Sequence, residues 1–198
     1  MSAAIPLVDN PISLFNQWME EARAAGIQIA EAVSLATVDP EGFPTARVVL
    51  VKEATERGVV FYTNAESPKG RHLRATGKAA LCAWWEATGR QVRLRGTVEE
   101  VTAEEADAYF ATRPRISRLG AWASRQSEEI ASRDVLEARV EEYSRKYPGE
   151  DIPRPPHWTG FRLRPLDIEF WREGAYRLHD RLLYIRDGEG WKTKILSP

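Results

Sequence analysis

One cysteine, three histidines and a near balance of charge remove several classes of function before any motif is read. The single Cys82 excludes an intrachain disulfide and fits a reducing compartment; it lies in the apolar run 79–85, where a buried structural thiol is expected. His72, His157 and His179 share no metal-ligand spacing, and one cysteine cannot complete a set for them. With Lys+Arg 28 against Asp+Glu 29, nothing attracts the whole chain to nucleic acid or an anionic membrane, so any anion recognition has to be local. No stretch approaches the roughly 18 apolar residues of a membrane span, and no basic segment leads into an apolar run at the start, so a cytoplasmic location is expected. G-x-G-x-x-G, Walker and serine-hydrolase elbow sequences are all missing, which leaves no support for a Rossmann dinucleotide site, a P-loop or a nucleophilic serine.

What the chain does have is 198 residues at 43% hydrophobic content, enough for one good core, and a single domain over 1–198 is the expectation. Asn10-Pro11 reads as an N-cap and first helical residue for a helix over about 11–25, with an apolar stripe at Leu14, Phe15, Trp18, Met19 and Ala22. The period then changes. Strand-like runs at 33–38, 46–52, 59–63, 79–85 and 91–101 are separated by turn sequences and a short helical piece starting at Ser67-Pro68. Thr102-Ala103-Glu104-Glu105 has capping-box spacing for a helix to about residue 112, and a further helix is expected over 133–146. A proline-rich connection at 148–156 should run extended. Strands return at 158–163, 168–171, 181–186 and 191–196. Close-set strands with short turns predict a mainly β fold, an antiparallel sheet or barrel with peripheral helices.

Three clusters carry groups suited to anions. Arg47 and Lys52 bracket the apolar residues Val48, Val49, Leu50 and Val51, and the chain returns through Phe61-Tyr62-Thr63-Asn64. Ser67-Pro68-Lys69 then offers a hydroxyl, a helix N-terminus and an ammonium together. Taken singly, these are ordinary strand ends and an N-cap. The second cluster, Tyr109, Arg113 and Ser117, has i, i+4, i+8 spacing along one helical face, although Pro114 should start a new helix and leave Arg113 at a junction. In the third, Arg177-Leu178-His179-Asp180-Arg181, an extended chain would project Arg177, His179 and Arg181 to one side. That face predicts an anionic ligand, with ion pairing to nearby Glu169, Glu173 or Asp180 as the bland alternative.

At these residues the sequence resembles the pyridoxamine/pyridoxine 5'-phosphate oxidase family, over nearly the whole chain from Asn10-Pro11 onward. The ordered matches include Arg47 to Lys52, Phe61-Tyr62-Thr63-Asn64, Gln91-Val92-Arg93, Tyr109-Phe110, Arg113-Pro114, Gly120-Ala121-Trp122, Gln126-Ser127, Phe161-Arg162, Ile168-Glu169-Phe170-Trp171 and Arg177 to Arg181. The resemblance implies an antiparallel FMN-binding split β-barrel, homodimeric, with FMN at the subunit interface and C-terminal strands over 158–198 completing barrel and site. It implies that FMN is held by Arg47, Val48, Val49, Leu50, Val51, Lys52, Tyr62, Thr63, Ser67 and Lys69, with Gln91, Gln126, Ser127, Trp171 and Arg181 coming from the second subunit. The substrate phosphate would meet Lys52, Tyr109, Arg113 and Ser117, and Arg177 and His179 would lie over the pyridine ring as the catalytic pair.

The implied reaction oxidises pyridoxine and pyridoxamine 5'-phosphates at C4', passes two electrons to FMN, and ends with O2 reduced to H2O2. Two alternatives keep the fold: a phenazine-pathway-like FMN oxidase, and a non-catalytic binder of FMN or pyridoxal phosphate. The chain departs from the family pattern at Pro68, where many members have arginine. It also departs before Pro11, where many carry a longer basic arm, and at residues 29–33, where the family often reads Asp/Glu-Pro-x-Ala-Met.

Overall fold

Residues 4–198 are described by the computed structural model, and the segment they begin with leads directly into the first capped helix. In α1 (Pro11–Ala24) the Asn10 side chain accepts from the Ile12 amide, Pro11 sits at the first helical position, and Leu14, Phe15, Trp18 and Ala22 are buried. This is the capping chemistry and stripe that the sequence predicts. The helix packs its apolar face onto a β structure whose strands are β1 (Ala32–Val38), β2 (Pro44–Thr55), β3 (Gly58–Asn64), β4 (Lys78–Trp85) and β5 (Arg90–Glu100). The later ones are β6 (Trp158–Arg172), β7 (Asp180–Asp187) and β8 (Gly190–Ile195). The remaining helices are α2 (Pro68–Thr76), α3 (Ala103–Ala111), α4 (Arg115–Ala123) and α5 (Arg133–Lys146). The Thr102 and Glu105 side chains form the reciprocal capping box at the start of α3.

All pairings between these strands are antiparallel, in the order β3-β2-β1-β4-β5-β6-β7-β8, and β3 also pairs with β6. That extra pairing closes six strands into a barrel and leaves β7 and β8 as an extension beyond it. Its interior is filled from the inward parity of each strand, including Val33 and Leu35, Val49 and Val51, Leu81 and Ala83, and Val92 and Leu94.

Two features of this closure differ from the sequence expectation or go beyond it. β6 is one continuous strand, not two runs at 158–163 and 168–171. Pro165 does not end it, because it lies opposite Gly96 at a register shift, where a residue without an N–H leaves no ladder bond unmade. A Cβ on Gly96 would fall 1.9 Å from the Arg164 carbonyl oxygen, so only glycine allows this close crossing. β6 pairs with β3 over its first half and with β7 over its second, and β5 lies along its other edge.

The second feature is a split. Pairing of β2 with β3 stops at Val51↔Phe61, next to a register shift that includes Lys52. Beyond that point β2 pairs only with β1, and Tyr62, Thr63 and Asn64 of β3 pair with Gly160, Thr159 and Trp158 of β6. The first half of β2 therefore has one edge without a neighbouring strand, and the gap faces α3, α4 and the loop after α4.

Candidate functional site

A cavity of about 700 Å³ occupies the split. Arg47, Val48, Val49, Leu50 and Lys52 of β2 form one wall, Tyr62 and Thr63 of β3 another, and Pro68 and Lys69 of α2 the end. Tyr109, Arg113, Pro114, Gln126, Ser127 and Trp158 complete it. An adjoining recess of about 380 Å³ shares Tyr62, Thr63, Arg113, Gln126 and Trp158, and adds Ser117 and Ser124. The first two sequence clusters thus converge, although the second does so differently from a single helical face. α3 ends at Ala111 and Pro114 caps α4, so Arg113 sits in the turn between two helices.

The end of the cavity is built from cations bonded to neutral oxygens. Arg47 donates through Nη1 to the Leu35 carbonyl at 3.1 Å and to Thr37 Oγ1 at 2.8 Å, and through Nη2 to Thr45 Oγ1 at 2.6 Å. Lys69 Nζ donates to Ser67 Oγ at 3.0 Å, Thr63 Oγ1 at 3.2 Å and Gln126 Oε1 at 2.6 Å. Burial, then the charge of Arg47, lowers the Lys69 ammonium from 10.5 to about 8. Ser67 caps α2, and Gly70 lets that helix start close against the preceding turn: a Cβ there would lie 2.2 Å from the Ala65 carbonyl oxygen.

Arg113 lies over the Trp158 ring at 4.8 Å and the Phe110 ring at 5.4 Å, and burial lowers its proton affinity. Its Nη1 is buried without a hydrogen-bond partner. The other buried side-chain nitrogens in that position among the described residues are all Nε atoms, whereas Arg113 lacks a partner for a terminal nitrogen. Such a group wants an acceptor. Beside it Tyr62, Tyr109 and Trp158 stack nearly parallel, with centroids 4.0 Å apart for the tyrosines and 5.1 Å for Tyr62 and Trp158. Burial raises the Tyr62 phenol, keeping it a neutral donor. Positive, phosphate-capable donors set against flat aromatic surface suit a phosphate ester of a ring compound.

The third cluster lies elsewhere, on the sheet that carries β7. Trp84, Gln91, Trp171 and Arg181 stand side by side across β4, β5, β6 and β7. The Trp171 ring meets His179 at 4.4 Å and Trp84 at 5.9 Å. Arg177, His179 and Arg181 do not share a strand face as expected. Ala175–Arg177 forms a single 3-10 turn with Tyr176 at φ 56° and Arg177 at φ 64°, and β7 begins only at Asp180. The turn depends on Gly174, whose Cβ would lie 2.0 Å from the Leu178 carbonyl oxygen. His179 Nδ1 accepts from the Gly174 amide at 3.2 Å. The expected repulsion is also relieved: Arg181 pairs with Glu169 at 2.8 Å, Arg93 pairs with the same carboxylate, and Arg172 pairs with Asp180. Burial raises Glu169, but the Arg181 and Arg93 hydrogen bonds outweigh it and hold the carboxyl below its usual range.

Two further placements matter. Gln126 and Ser127, assigned to the second subunit by the resemblance, line the cavity of their own chain, because Gln126 is tied to Lys69. Gln91, Trp171 and Arg181 are absent from its lining. Ser127, Tyr176 and Arg177 are the non-glycine residues with positive φ among the described residues, and all three fall in site segments. Sequence reasoning missed Thr37, Thr45 and Trp158. The signal for Thr37 was its parity with Val33 and Leu35, which puts a hydroxyl on the inward face of β1.

Comparison with known proteins points to one family. A family model described as pyridoxamine 5'-phosphate oxidase matches residues 19–147, and one described as the pyridoxine 5'-phosphate oxidase C-terminal dimerisation region matches residues 158–198. A pyridoxine/pyridoxamine 5'-phosphate oxidase of Bartonella henselae is 51% identical over 194 residues, covering 96% of this chain and 94% of that protein. Its counterpart in Brucella anthropi is 53% identical over 190 residues, covering 95% and 94%. Among solved structures, PhzG from Burkholderia lata 383, in complex with tetrahydrophenazine-1-carboxylic acid, superposes with a TM-score of 0.90 at 34% identity over 100% of both chains. A pyridoxamine 5'-phosphate oxidase-related, FMN-binding protein of Nostoc punctiforme shares the fold, with a TM-score of 0.76 at 18% identity over 98% of this chain and 100% of that one.

Proposed function

This chain belongs to the pyridoxamine 5'-phosphate oxidase family, and from that premise we propose that it is an FMN-dependent homodimer working in the cytoplasm, with each site assembled from two subunits. It is an oxidoreductase that converts pyridoxine and pyridoxamine 5'-phosphates to pyridoxal 5'-phosphate. The observation that carries the reading is the division of the site: phosphate-type donors in the cavity of the split, ring-type groups on another part of the sheet. A second copy brings the ring set of one chain to the cavity of the other. The C-terminal dimerisation match supports this, as does the outward sheet face, where Val48 is 65% and Trp84 50% exposed.

In this reading Arg47, Ser67 and Lys69, with Lys52, Tyr62 and Thr63, hold the FMN phosphate and ribityl chain, and the backbone of Val48, Val49, Leu50 and Val51 forms the wall beneath. Gln126 and Ser127 come from the same chain, and Gln91, Trp171 and Arg181 from the partner. Bound FMN supplies the acceptor for two electrons, which O2 then takes to give H2O2. Lys52, Tyr109, Arg113 and Ser117 take the substrate phosphate, and the unpartnered Arg113 Nη1 is the donor that phosphate completes. Arg177 and His179 would orient the pyridine ring, and their work is positioning and electrostatic.

The PhzG superposition favours one other reading, a flavin oxidase for a bulkier polycyclic substrate. Against it stand Tyr109, Arg113 and Ser117, which have no use for a substrate without a phosphate. The test is an aerobic assay of the FMN-loaded protein with pyridoxine and pyridoxamine 5'-phosphates, following aldehyde and peroxide together. Turnover to both products is the expected result. A yellow dimer that forms neither would overturn the substrate assignment and leave the polycyclic oxidase or a carrier.

A further inference from the structure

Thr37 is 1% exposed, and its hydroxyl is the buried junction of three bonds. Arg47 Nη1 donates to it at 2.8 Å, Thr45 Oγ1 lies at 3.2 Å, and Nδ1 of the half-buried His72 lies at 3.2 Å from the other side. A hydroxyl has one proton to give and lone pairs to receive with. Since Arg47 can only donate, the Thr37 proton goes either to Thr45 or to His72. Thr45 already receives from Arg47 at 2.6 Å, and its own proton fits the free lone pair of Thr37. The arrangement that satisfies every atom sends the Thr37 proton to His72 Nδ1 and makes the histidine the terminal acceptor of a chain that starts at Arg47. A valine at 37 would suit the inward face beside Val33 and Leu35 better than a hydroxyl does, so the threonine is costly to the core unless it serves the network.

We propose that His72 is a positioning residue for the phosphate site: through Thr37 it holds the Arg47 guanidinium in the pose that receives the FMN phosphate. This rests on the assignment of the cavity to FMN. The three bonds that Arg47 makes leave two of its five N–H donors without an acceptor among the described residues, and the network decides where those two point. α2 carries Lys69 in its first turn and His72 three residues later, so one rigid element touches one cradle cation directly and orients the other through a hydroxyl. Movement of α2 therefore shifts both cations together.

The experiment measures dissociation constants for FMN and for riboflavin, which lacks the phosphate, by flavin fluorescence quenching, together with melting temperatures of the apoprotein. Wild type is compared with His72→Phe, His72→Asn, Thr37→Val and the His72→Phe/Thr37→Val double variant. Loss of one bond in a charge-assisted network predicts roughly tenfold weaker FMN binding for His72→Phe, with riboflavin binding and melting temperature unchanged. His72→Asn keeps an acceptor near the Nδ1 position and stays within about twofold of wild type. The double variant is no weaker than Thr37→Val alone, because both changes cut one path. An unchanged FMN-to-riboflavin ratio in His72→Phe, or additive losses in the double variant, overturns the proposal. Should His72→Phe fail to fold, the smaller His72→Leu gives the same reading. If wild type itself does not prefer FMN to riboflavin, the phosphate site falls, and that result is distinct from a failure of His72.

Discussion

The Lys69 ammonium and the Arg47 guanidinium face one cavity, each bonded only to neutral oxygens, with neither in an ion pair among the described residues. Two uncompensated cations side by side cost the empty protein stability and reserve a place for a multiply charged anion. Burial first, and the neighbouring Arg47 charge second, lower the Lys69 ammonium to about 8.

The first prediction follows from its sign. Lys69 drops from 10.5 unfolded to about 8 folded, so the native state releases its proton first, and apoprotein stability rises with pH between those values. Cofactor affinity moves the opposite way, falling above about pH 8 as the ammonium that meets the phosphate is lost. FMN titrations from pH 6.5 to 9.5 check this. Lys69→Arg, which stays charged, should flatten the profile.

Arg113 is predicted to trade stability for binding. Arg113→Met removes the unpartnered buried Nη1 and keeps the side chain's contact with Trp158, so the apoprotein should gain about 1 kcal/mol in urea unfolding. The KM for either phosphorylated vitamer should rise roughly a hundredfold, as expected for loss of a charge-assisted contact from a buried donor.

Pro68 lines the cavity at the first position of α2, where the resemblance in sequence leads one to expect arginine. Pro68→Arg should add one phosphate contact and tighten FMN about tenfold, measured by equilibrium dialysis. Riboflavin affinity should not change.

Gly174→Ala should displace Arg177 and His179 without touching the cradle. The new Cβ has no room beside the Leu178 carbonyl, so the turn holding Tyr176 and Arg177 must reopen. The expected outcome is a kcat/KM at least about tenfold lower with FMN affinity near wild type, since misplacement by an ångström is enough to lose that much.

Local chemistry was legible in the sequence to the extent that it is local. The Asn10 and Thr102 caps, the Ser67 turn and the strand runs of β1, β4 and β5 follow from nearest neighbours and appear where expected. Closure of the barrel by β3 and β6 was not legible, because residues 59–64 and 158–163 find each other through space, with no spacing rule to announce it. The two runs expected at 158–163 and 168–171 are one strand, because the Gly96 crossing absorbs Pro165 between them. The extended reading of residues 177–181 failed for a related reason: the left-handed pair Tyr176-Arg177 is imposed by tertiary surroundings, against the local preference of both residues. The residues that line the cavity end were readable as a list. The neutral oxygens that aim it, on Leu35, Thr37 and Thr45, were not.

Placing the cradle and the ring set on different parts of one chain has a genetic consequence for the proposed dimer. On the proposed assignment, a chain crippled at Lys69 and a chain crippled at Trp171 should each be inert as homodimers. When they pair, one of the two sites collects both defects, and the other draws its cradle and its ring set from undamaged halves. Random mixing makes about half the dimers hybrid, so two dead preparations, unfolded and refolded together, should recover about a quarter of wild-type activity. Two such alleles in one cell would complement each other.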